Sequence, residues 1–404
     1  MPFDVAVVGA SLAGSFVAAL ARDRGWSVVV LEARHASQRA SRPDRGSSAA
    51  TACVPAWVLE AADLTTADTL ARPAHVHVVA PDVRATLVPR DVVLVDPAVI
   101  RHALLERALR AGAELVCDAR VVGLDASGVT TTTGSIEARI VVDASGDHGA
   151  QLLGERVAAP RDTALIARET CDIRDMEQAA AHLAAIGAKP REPIVWLGPG
   201  GTGTAAILLI DGEHVDLAAL RVADQGPTPT ARAVLRRIVR ELPWIGDVRT
   251  EAAREIVLGL RSTLASEHVA LVGDAAGITW PSAGASVTRG IVSAQILVDA
   301  ISQDGDLSTY ERRLRGASVN LAAFDLSVLE VLRTSPPGEL ASALRSRLGE
   351  RLFRRGMLER RAPWLGRLRL ETAVRLASIH SAATRTANGA PAASSTARLA
   401  GGPA

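Results

Sequence analysis

The stretch from Asp4 to Glu32 constrains this chain more than any other. Val5-Ala6-Val7-Val8 is a short apolar run that stops at Gly9, as a buried parallel strand would. Ala10-Ser11-Leu12-Ala13-Gly14 follows, and residues 13–20 are alanine-rich and apolar all round, which suits a helix covered by a sheet. Gly25 closes that helix, Val28-Val29-Val30-Leu31 supplies a second strand, and Glu32 comes next. Strand, glycine turn, helix, strand and acid in this order predict a βαβ unit. Its helix start would aim backbone N–H groups and the positive end of a dipole at a pyrophosphate. The acid stands roughly twenty residues after the glycines, where such units grip a ribose hydroxyl. The middle glycine of the G-x-G-x-x-G pattern is Ser11 here, a residue small enough for close phosphate approach to persist. Which dinucleotide binds is not decided by this stretch.

At 404 residues the chain has room for two domains. A hydrophobic content of 48% against 22% charged is enough to build a core in each. A net charge of +1 gives no reason to expect nucleic acid as a partner. Cys53, Cys117 and Cys171 are far apart and form no C-x-x-C pair, which argues against a disulfide scaffold or a zinc site and suits a reducing cytoplasm. Asp4 stands where a secretory signal would carry a basic residue, so no signal peptide is expected. No run of about 18 apolar residues is free of glycine and charge, and no membrane-spanning helix is expected. Lys189 is the sole lysine.

Residues 33–52 are rich in arginine, serine and alanine, with Arg34, Arg39, Arg42 and Arg45. Two readings compete: a solvated basic loop, or an arginine bent over cofactor phosphates. Cys53-Val54-Pro55 leads into a helix at about 56–64. Residues 75–95 alternate as strands do and read as antiparallel sheet inserted into the first domain. His75 and His77 share one strand face, so a pair of metal ligands is conceivable. No third ligand stands near them, so the pair reads as satisfied or exposed histidines and no metal is expected. Asp96 as N-cap and Pro97 at the first helical position open a strong helix that stops at Gly112. Strands are expected at 114–117, 119–124 and 136–142, the last running into Asp143-Ala144-Ser145-Gly146.

A second region covers residues 160–258, with strands at 164–168, 194–197 and 204–210 and a helix at 230–241. Gly198-Pro199-Gly200-Gly201-Thr202-Gly203 resembles a nucleotide loop, but a strand follows it, so it reads as a hairpin connection. Val269-Ala270-Leu271-Val272 then runs into Gly273-Asp274-Ala275-Ala276-Gly277. Trp280-Pro281-Ser282-Ala283-Gly284-Ala285-Ser286 precedes a helix at 287–301, whose start again offers backbone N–H groups. From Tyr310 the chain reads as helical and arginine-rich. Its basic faces at 345–361 pair with Glu350 and Glu359, or lie on an anionic membrane surface. Residues 381–404 have the composition of a disordered tail.

Three patches therefore lie in fixed order: Gly9 to Glu32, Asp143 to Gly146, and Gly273-Asp274 with Pro281 and Gly284. In this the chain resembles the flavoprotein monooxygenases of the p-hydroxybenzoate hydroxylase fold and their relatives, the geranylgeranyl reductases and flavin-dependent halogenases. The likeness covers about residues 1–310. It implies the α/β class, with an FAD-binding, Rossmann-like (glutathione-reductase-type) domain at 1–155 and 259–310. An inserted antiparallel β-sheet substrate domain would fill 156–258, beside the smaller sheet insertion at about 70–95. C-terminal helices would occupy 311–380, before the tail at 381–404. It also implies FAD as the dinucleotide. Gly9, Ser11, Leu12, Ala13 and Gly14 would cradle the pyrophosphate and Glu32 would hold the adenosine ribose, with Ala33, Arg34, Arg45 and Val122 as further cofactor contacts. Asp274 would accept hydrogen bonds from the ribityl chain. Pro281, Gly284 and Ala285 would lie beside the isoalloxazine, where N–H groups stabilise charge on the reduced ring. Asp143 to Gly146 would match the family's middle motif, here spaced Asp-Ala-Ser-Gly.

The implied activity is an FAD-dependent oxidoreductase, foremost a monooxygenase acting on a small organic or carrier-bound substrate through a flavin C4a-hydroperoxide. NAD(P)H would visit transiently, because no nicotinamide domain is visible. The flavin carries such chemistry while the protein orients and dries the pocket, so no catalytic side chain is assigned. Cys53 is the one candidate. Reductases of the geranylgeranyl type hold Cys-Gly-Gly or similar beside the flavin, and Cys53-Val54-Pro55 keeps the cysteine without the glycines. A small buried apolar residue is the competing reading. The halogenase branch asks for a lysine near the flavin and a W-x-W-x-I-P segment, which Lys189 and Trp196-Leu197-Gly198-Pro199 do not match. The alternatives to oxygenation are reduction of a lipid-like double bond and a non-redox cyclisation or isomerisation. His182 and His214 have no motif behind them. The expected partner is a small molecule in the cytoplasm, and the oligomeric state stays open.

Overall fold

The computed structural model describes residues 1–35, 51–89, 91–156, 162–223, 229–279 and 285–345. The opening strand, helix and strand form as expected: β1 (Phe3–Val8), α1 (Leu12–Asp23) and β2 (Val28–Leu31). Next come β3 (Ala52–Pro55), α2 (Trp57–Ala61), β4 (Val76–Ala80), β5 (Val83–Leu87) and β6 (Val92–Val95). α3 (Pro97–Arg110) leads to β7 (Glu114–Val116), β8 (Val121–Asp125), β9 (Gly128–Thr131) and β10 (Gly134–Asp143). The chain continues through β11 (Thr163–Ile173), α4 (Met176–Ile186), β12 (Ile194–Leu197) and β13 (Thr204–Asp211). β14 (His214–Val222), α5 (Ala231–Glu241), β15 (Ile245–Val257) and β16 (Val269–Leu271) follow. α6 (Ala285–Asp304), α7 (Leu307–Thr334) and α8 (Pro337–Arg345) complete the described elements. These fall into two compact units: Met1–Leu70, Val93–Ala158 and Val257–Ala322 in the first, and Ala71–Val92, Ala159–Ile256 and Ala323–Ala404 in the second.

The first unit is built on a sheet in the order β7-β2-β1-β10, with β16 parallel to β10 on its far side. β10 serves twice. Its first residues, Gly134 to Glu137, pair antiparallel with β9 and so with β8, while Ala138 to Asp143 lie parallel between β1 and β16. β1 and β2 are buried from Val5 to Val8 and along their whole length, which is why their sequences run apolar without alternation. α1 is alanine-rich because it is sandwiched: Ala18, Ala19 and Ala21 are fully enclosed in the core it shares with α3 and α6. Asp96 caps α3 through a 2.8 Å bond from the Ala98 amide, with Pro97 at the first helical position.

The second unit is a seven-stranded sheet in the order β15-β11-β14-β13-β12-β4-β5. β11 with β14, β14 with β13, β13 with β12 and β4 with β5 pair antiparallel, and β12 with β4 pairs parallel. α4 and α5 cover it with Leu183, Val234, Leu235 and Ile238, set against Trp196, Leu208 and Leu217. Leu340 and Ala341 of α8 close a smaller cluster on β4 and β5.

Several expectations are corrected. The alternating stretch at 75–95 does not stay with the first unit: β4 and β5 join the second unit's sheet, and β6 pairs with β3. The helix expected at 56–64 is only Trp57–Ala61. β14, α4 and the 13-residue β15 were not anticipated. β15 is an edge strand carrying exposed Asp247, Arg249, Glu251, Arg254 and Glu255, so it shows no period-two apolar face. α4 did carry local signals: Asp175 accepts from the Gln178 amide at 3.0 Å, and Gly187 ends the helix at φ +81°. The glycine-rich stretch at 198–203 is the expected connection between antiparallel β12 and β13. The arginine-rich stretch at 345–361 lies outside the described residues from 346 onward, and so does the tail. No described helix is long and apolar enough to cross a membrane.

Candidate functional site

In the first unit, β1 leads outward through β2 to β7 on one side, while β10 and β16 lie on the other. The chain order thus reverses between β1 and β10, and in open parallel sheets ligands bind beyond the carboxyl ends of the strands at such a switch point. Three of the sequence patches end up there, following β1, β10 and β16.

The turn after β1 is as tight as sterics permit. Gly9 has φ +95°, and a Cβ there would stand 2.9 Å from the Ser145 Cα of the turn after β10. A Cβ on Gly14 would lie 2.2 Å from the Gly9 carbonyl oxygen and 2.9 Å from the Ala144 Cβ. These glycines bring α1 down onto the strand ends. Ser11 is the N-cap of α1, its Oγ accepting from the Gly14 amide at 3.2 Å. The hydroxyl keeps its own hydrogen to donate. Leu12 and Ala13 contribute N–H groups from the first turn, where a helix has no partners of its own for them. Glu32 is buried, and its two carboxylate oxygens accept from the Ala10 amide and the Arg34 amide, each at 3.1 Å. The acid therefore ties the end of β2 to the glycine turn. Ala33 and Arg34 are exposed beside it.

Asp143 turns inward. Its Oδ1 accepts from the Ser145 amide at 3.0 Å and the Ser145 hydroxyl at 2.5 Å, and its Oδ2 accepts from the Leu152 amide at 3.1 Å. At 1% exposure it shapes the turn against Gly9 and presents nothing to a ligand. That gives the unusual Asp-Ala-Ser-Gly spacing a role: Ser145 supplies the hydroxyl that Asp143 holds.

The patch after β16 forms a 3₁₀ turn, Gly273–Ala276, closed by Gly277 in the left-handed region. A Cβ on Gly273 would meet the Ala13 Cβ at 3.0 Å, so this turn rests on the start of α1. The Gly273 amide donates to the buried Ser293 hydroxyl at 3.1 Å, which fixes the turn to α6. Asp274 is partly exposed, and its Oδ1 accepts from Thr279 Oγ1 at 2.5 Å. Tyr310 of α7, fully buried, donates to the Leu271 carbonyl at the end of β16. Two arginines brace the same loops. Arg156 pairs with Asp147 at 3.0 Å and donates to the Val257 and Leu258 carbonyls, both at 2.9 Å. Arg261 is 6% exposed, donates to the Gly154 carbonyl, and leaves its Nη1 without a partner among the described residues.

The structure thus gathers Gly9, Ser11, Leu12, Ala13, Gly14, Glu32, Gly273 and Asp274. Val122 stands apart from them in exposure: it is 62% exposed on β8. Arg45, Pro281 and Gly284 lie outside the described residues, and Ala285 begins α6. Burial pushes the Cys53 thiol on β3 up to about 12, which keeps it protonated at physiological pH. Ser145, Thr279, Ser293 and Arg261 were missed by sequence reading. Thr279 could have been found, as a hydroxyl five positions from Asp274; the other three act through contacts that only folding creates.

The fold and these turns define a class, an α/β protein with a glycine-lined cradle at the switch point of its parallel sheet. No family model matches the sequence, and no curated protein matches it. Solved structures do match. A geranylgeranyl bacteriochlorophyll reductase-like protein from Thermoplasma acidophilum aligns with TM-score 0.69 at 18% identity, over 86% of this chain and 92% of its own. The flavin-dependent brominase Bmp2 aligns with TM-score 0.68 at 13% identity, over 93% of this chain and 100% of its own. PqsL of Pseudomonas aeruginosa, described as a probable FAD-dependent monooxygenase, aligns with TM-score 0.61 at 16% identity, over 83% and 97%. These are the groups whose likeness the sequence motifs suggested, and the chain shares their fold.

Proposed function

We propose that this protein is an FAD-dependent monooxygenase acting on a small organic substrate. The observation that carries the proposal is the cradle at the β1–β10 switch point, where the absence of a Cβ on Gly9 and Gly14 lets the turn and the start of α1 pack onto the strand ends. The residues present fit FAD. The α1 start offers N–H groups of Leu12 and Ala13 and the Ser11 hydroxyl to a pyrophosphate. Glu32, held at the end of β2 by the Ala10 and Arg34 amides, is the acid that would receive ribose hydroxyls. Asp274, oriented by Thr279, would receive hydroxyl groups of the ribityl chain, and Gly273 seats that turn on Ala13. Arg261 adds fixed positive charge to the loops that carry the cradle, which favours negative charge on a bound cofactor. When bound, FAD would supply electron acceptance from NAD(P)H and activation of oxygen. The chain's own groups would bind and orient it.

Two observations support this reading over the reductase and halogenase alternatives. The reductase reading rests on Cys53, and Cys53-Val54-Pro55 lacks the glycines that reading expects. The halogenase reading needs a lysine at the flavin, and Lys189, the sole lysine, is exposed in the turn before β12. The three cysteines are free, which agrees with a reducing, cytoplasmic setting.

The test is direct. Full-length protein should show a flavin spectrum as purified or after titration with FAD. NADH or NADPH should bleach it, and air should restore the colour with oxygen consumed and, given substrate, a hydroxylated product. A protein that binds no FAD removes the proposal at its root. Turnover that proceeds equally without oxygen keeps the flavin and overturns the monooxygenase.

A further inference from the structure

The second unit brings Glu192 against His75 and His77, from which sequence order keeps it apart. β12 lies parallel to β4 with Ile194 opposite His77, and the His77 amide donates to the Pro193 carbonyl at 2.9 Å. Two positions earlier on each segment stand His75 and Glu192. Because strand side chains alternate, His75, His77, Glu192 and Ile194 lie on one face. His75 Nδ1 lies 2.9 Å from Glu192 Oε1, and His77 Nε2 lies 3.0 Å from Glu192 Oε2. His77 and Glu192 are each 4% exposed at the side chain, while His75 is 40% exposed.

The carboxylate is prepared for a cation. Its two oxygens each face one imidazole, Oε1 toward His75 and Oε2 toward His77. The Lys189 amide, 2.9 Å from Oε2, fixes its orientation. Thr86, opposite His77 on β5, sets its Oγ1 3.5 Å from the far ring nitrogen, Nδ1. An outer partner on the other ring nitrogen is what fixes the tautomer of a metal-ligating histidine. All three ligand atoms lie within 4.8 Å of one another. A four-coordinate zinc, with Zn–N and Zn–O of about 2.0–2.2 Å, places its ligand atoms about 3.4 Å apart. The gaps of 2.9 Å to Oε1 and 3.0 Å to Oε2 involve different carboxylate oxygens, so an ion taking one oxygen opens that gap by about half an ångström and draws in the second imidazole from within the 4.8 Å spread.

We propose that His75, His77 and Glu192 form a metal site for a first-row divalent ion, Zn²⁺ being the test case. Two imidazoles and one carboxylate are a donor set that such ions favour over magnesium or calcium. The half-exposed side at His75 leaves a coordination position for water. Bound there, the ion would clip the segment before β12 to the start of β4 and so tie residues 71–92 into the second unit's sheet.

The test uses full-length protein stripped with a chelator and titrated with Zn²⁺ by calorimetry and with Co²⁺ by visible absorption. One equivalent should bind, Co²⁺ should show the intense ligand-field bands of a low-coordinate site, and the melting temperature should rise. His75→Ala and Glu192→Gln should each weaken binding by more than the about 10–100-fold that an outer-shell partner is worth. Because His75 is half-exposed, His75→Ala carries the result even if Glu192→Gln fails to fold. Uptake by the wild type no greater than by His75→Ala overturns the site, as does stoichiometric binding that both variants retain.

Discussion

Gly14→Ala tests the cradle most sharply. The added methyl would stand 2.2 Å from the Gly9 carbonyl oxygen, 2.9 Å from the Ala144 Cβ and 3.1 Å from Val7 Cγ1. Carbon–oxygen contacts normally settle near about 3.3 Å, so the start of α1 must retreat by about 1 Å. Such overpacking costs about 1–3 kcal/mol. The Ser11 cap, already 3.2 Å long, breaks under that displacement and adds about 1 kcal/mol. Ala13 moves with the helix, so the turn at Gly273 loses its seat too. Denaturant unfolding of FAD-free protein should show a loss of about 2–4 kcal/mol. A flavin titration should show affinity lowered by at least about tenfold, the equivalent of 1.4 kcal/mol. Gly316→Ala is the control: it lies in α7 with nothing within 4 Å of the added methyl, and should gain up to about 1 kcal/mol. If Gly14→Ala unfolds within about 0.5 kcal/mol of wild type and binds FAD unchanged, the argument from close approach is wrong.

Ser11 separates capping from approach. Ser11→Gly should cost a few tenths of a kcal/mol and keep flavin, while Ser11→Val loses the cap and fills the approach, so it should elute largely flavin-free; a fully loaded Ser11→Val would contradict the assignment. His182 of α4 sits against Trp196 and Trp244, and burial, aided by the Arg84 charge, lowers its pKa from 6.5 to about 4. The unfolded chain takes up that proton as pH falls below 6.5 and the folded chain does not, so stability should fall through the window from 6.5 to about 4, by about 2 kcal/mol between pH 6.5 and 5. Unfolding midpoints of His182→Gln against wild type at those two pH values read this out, and parallel pH slopes would refute it.

What could be read in advance and what could not follows from range. Local chemistry was legible. The glycine turn, the cap at Asp96 and the apolar runs of β1, β2 and β16 are short-range patterns, and each formed where its residues pointed. Elements whose signal depends on a neighbour were not. β15 is charged along its length because it is an edge, and β4 and β5 declare themselves as strands without declaring which sheet they enter. The Asp143 patch was located by its sequence, but its inward orientation became visible only with Ser145 and Leu152 folded around it.

By itself the sequence determined that a βαβ unit opens this chain, that small residues line its first turn, and that a second glycine-aspartate turn returns far downstream. Tertiary structure decided that the two turns meet, with Gly273 on Ala13, at the reversal of strand order between β1 and β10. It also decided that His75 and His77 have an acid for company, because strand pairing brings Glu192 to His77 from 115 positions away. Side-chain alternation and capping act over a few residues and are written in the sequence. Register between strands is set by the burial of whole sheets, and no local pattern encodes which distant residue it will deliver.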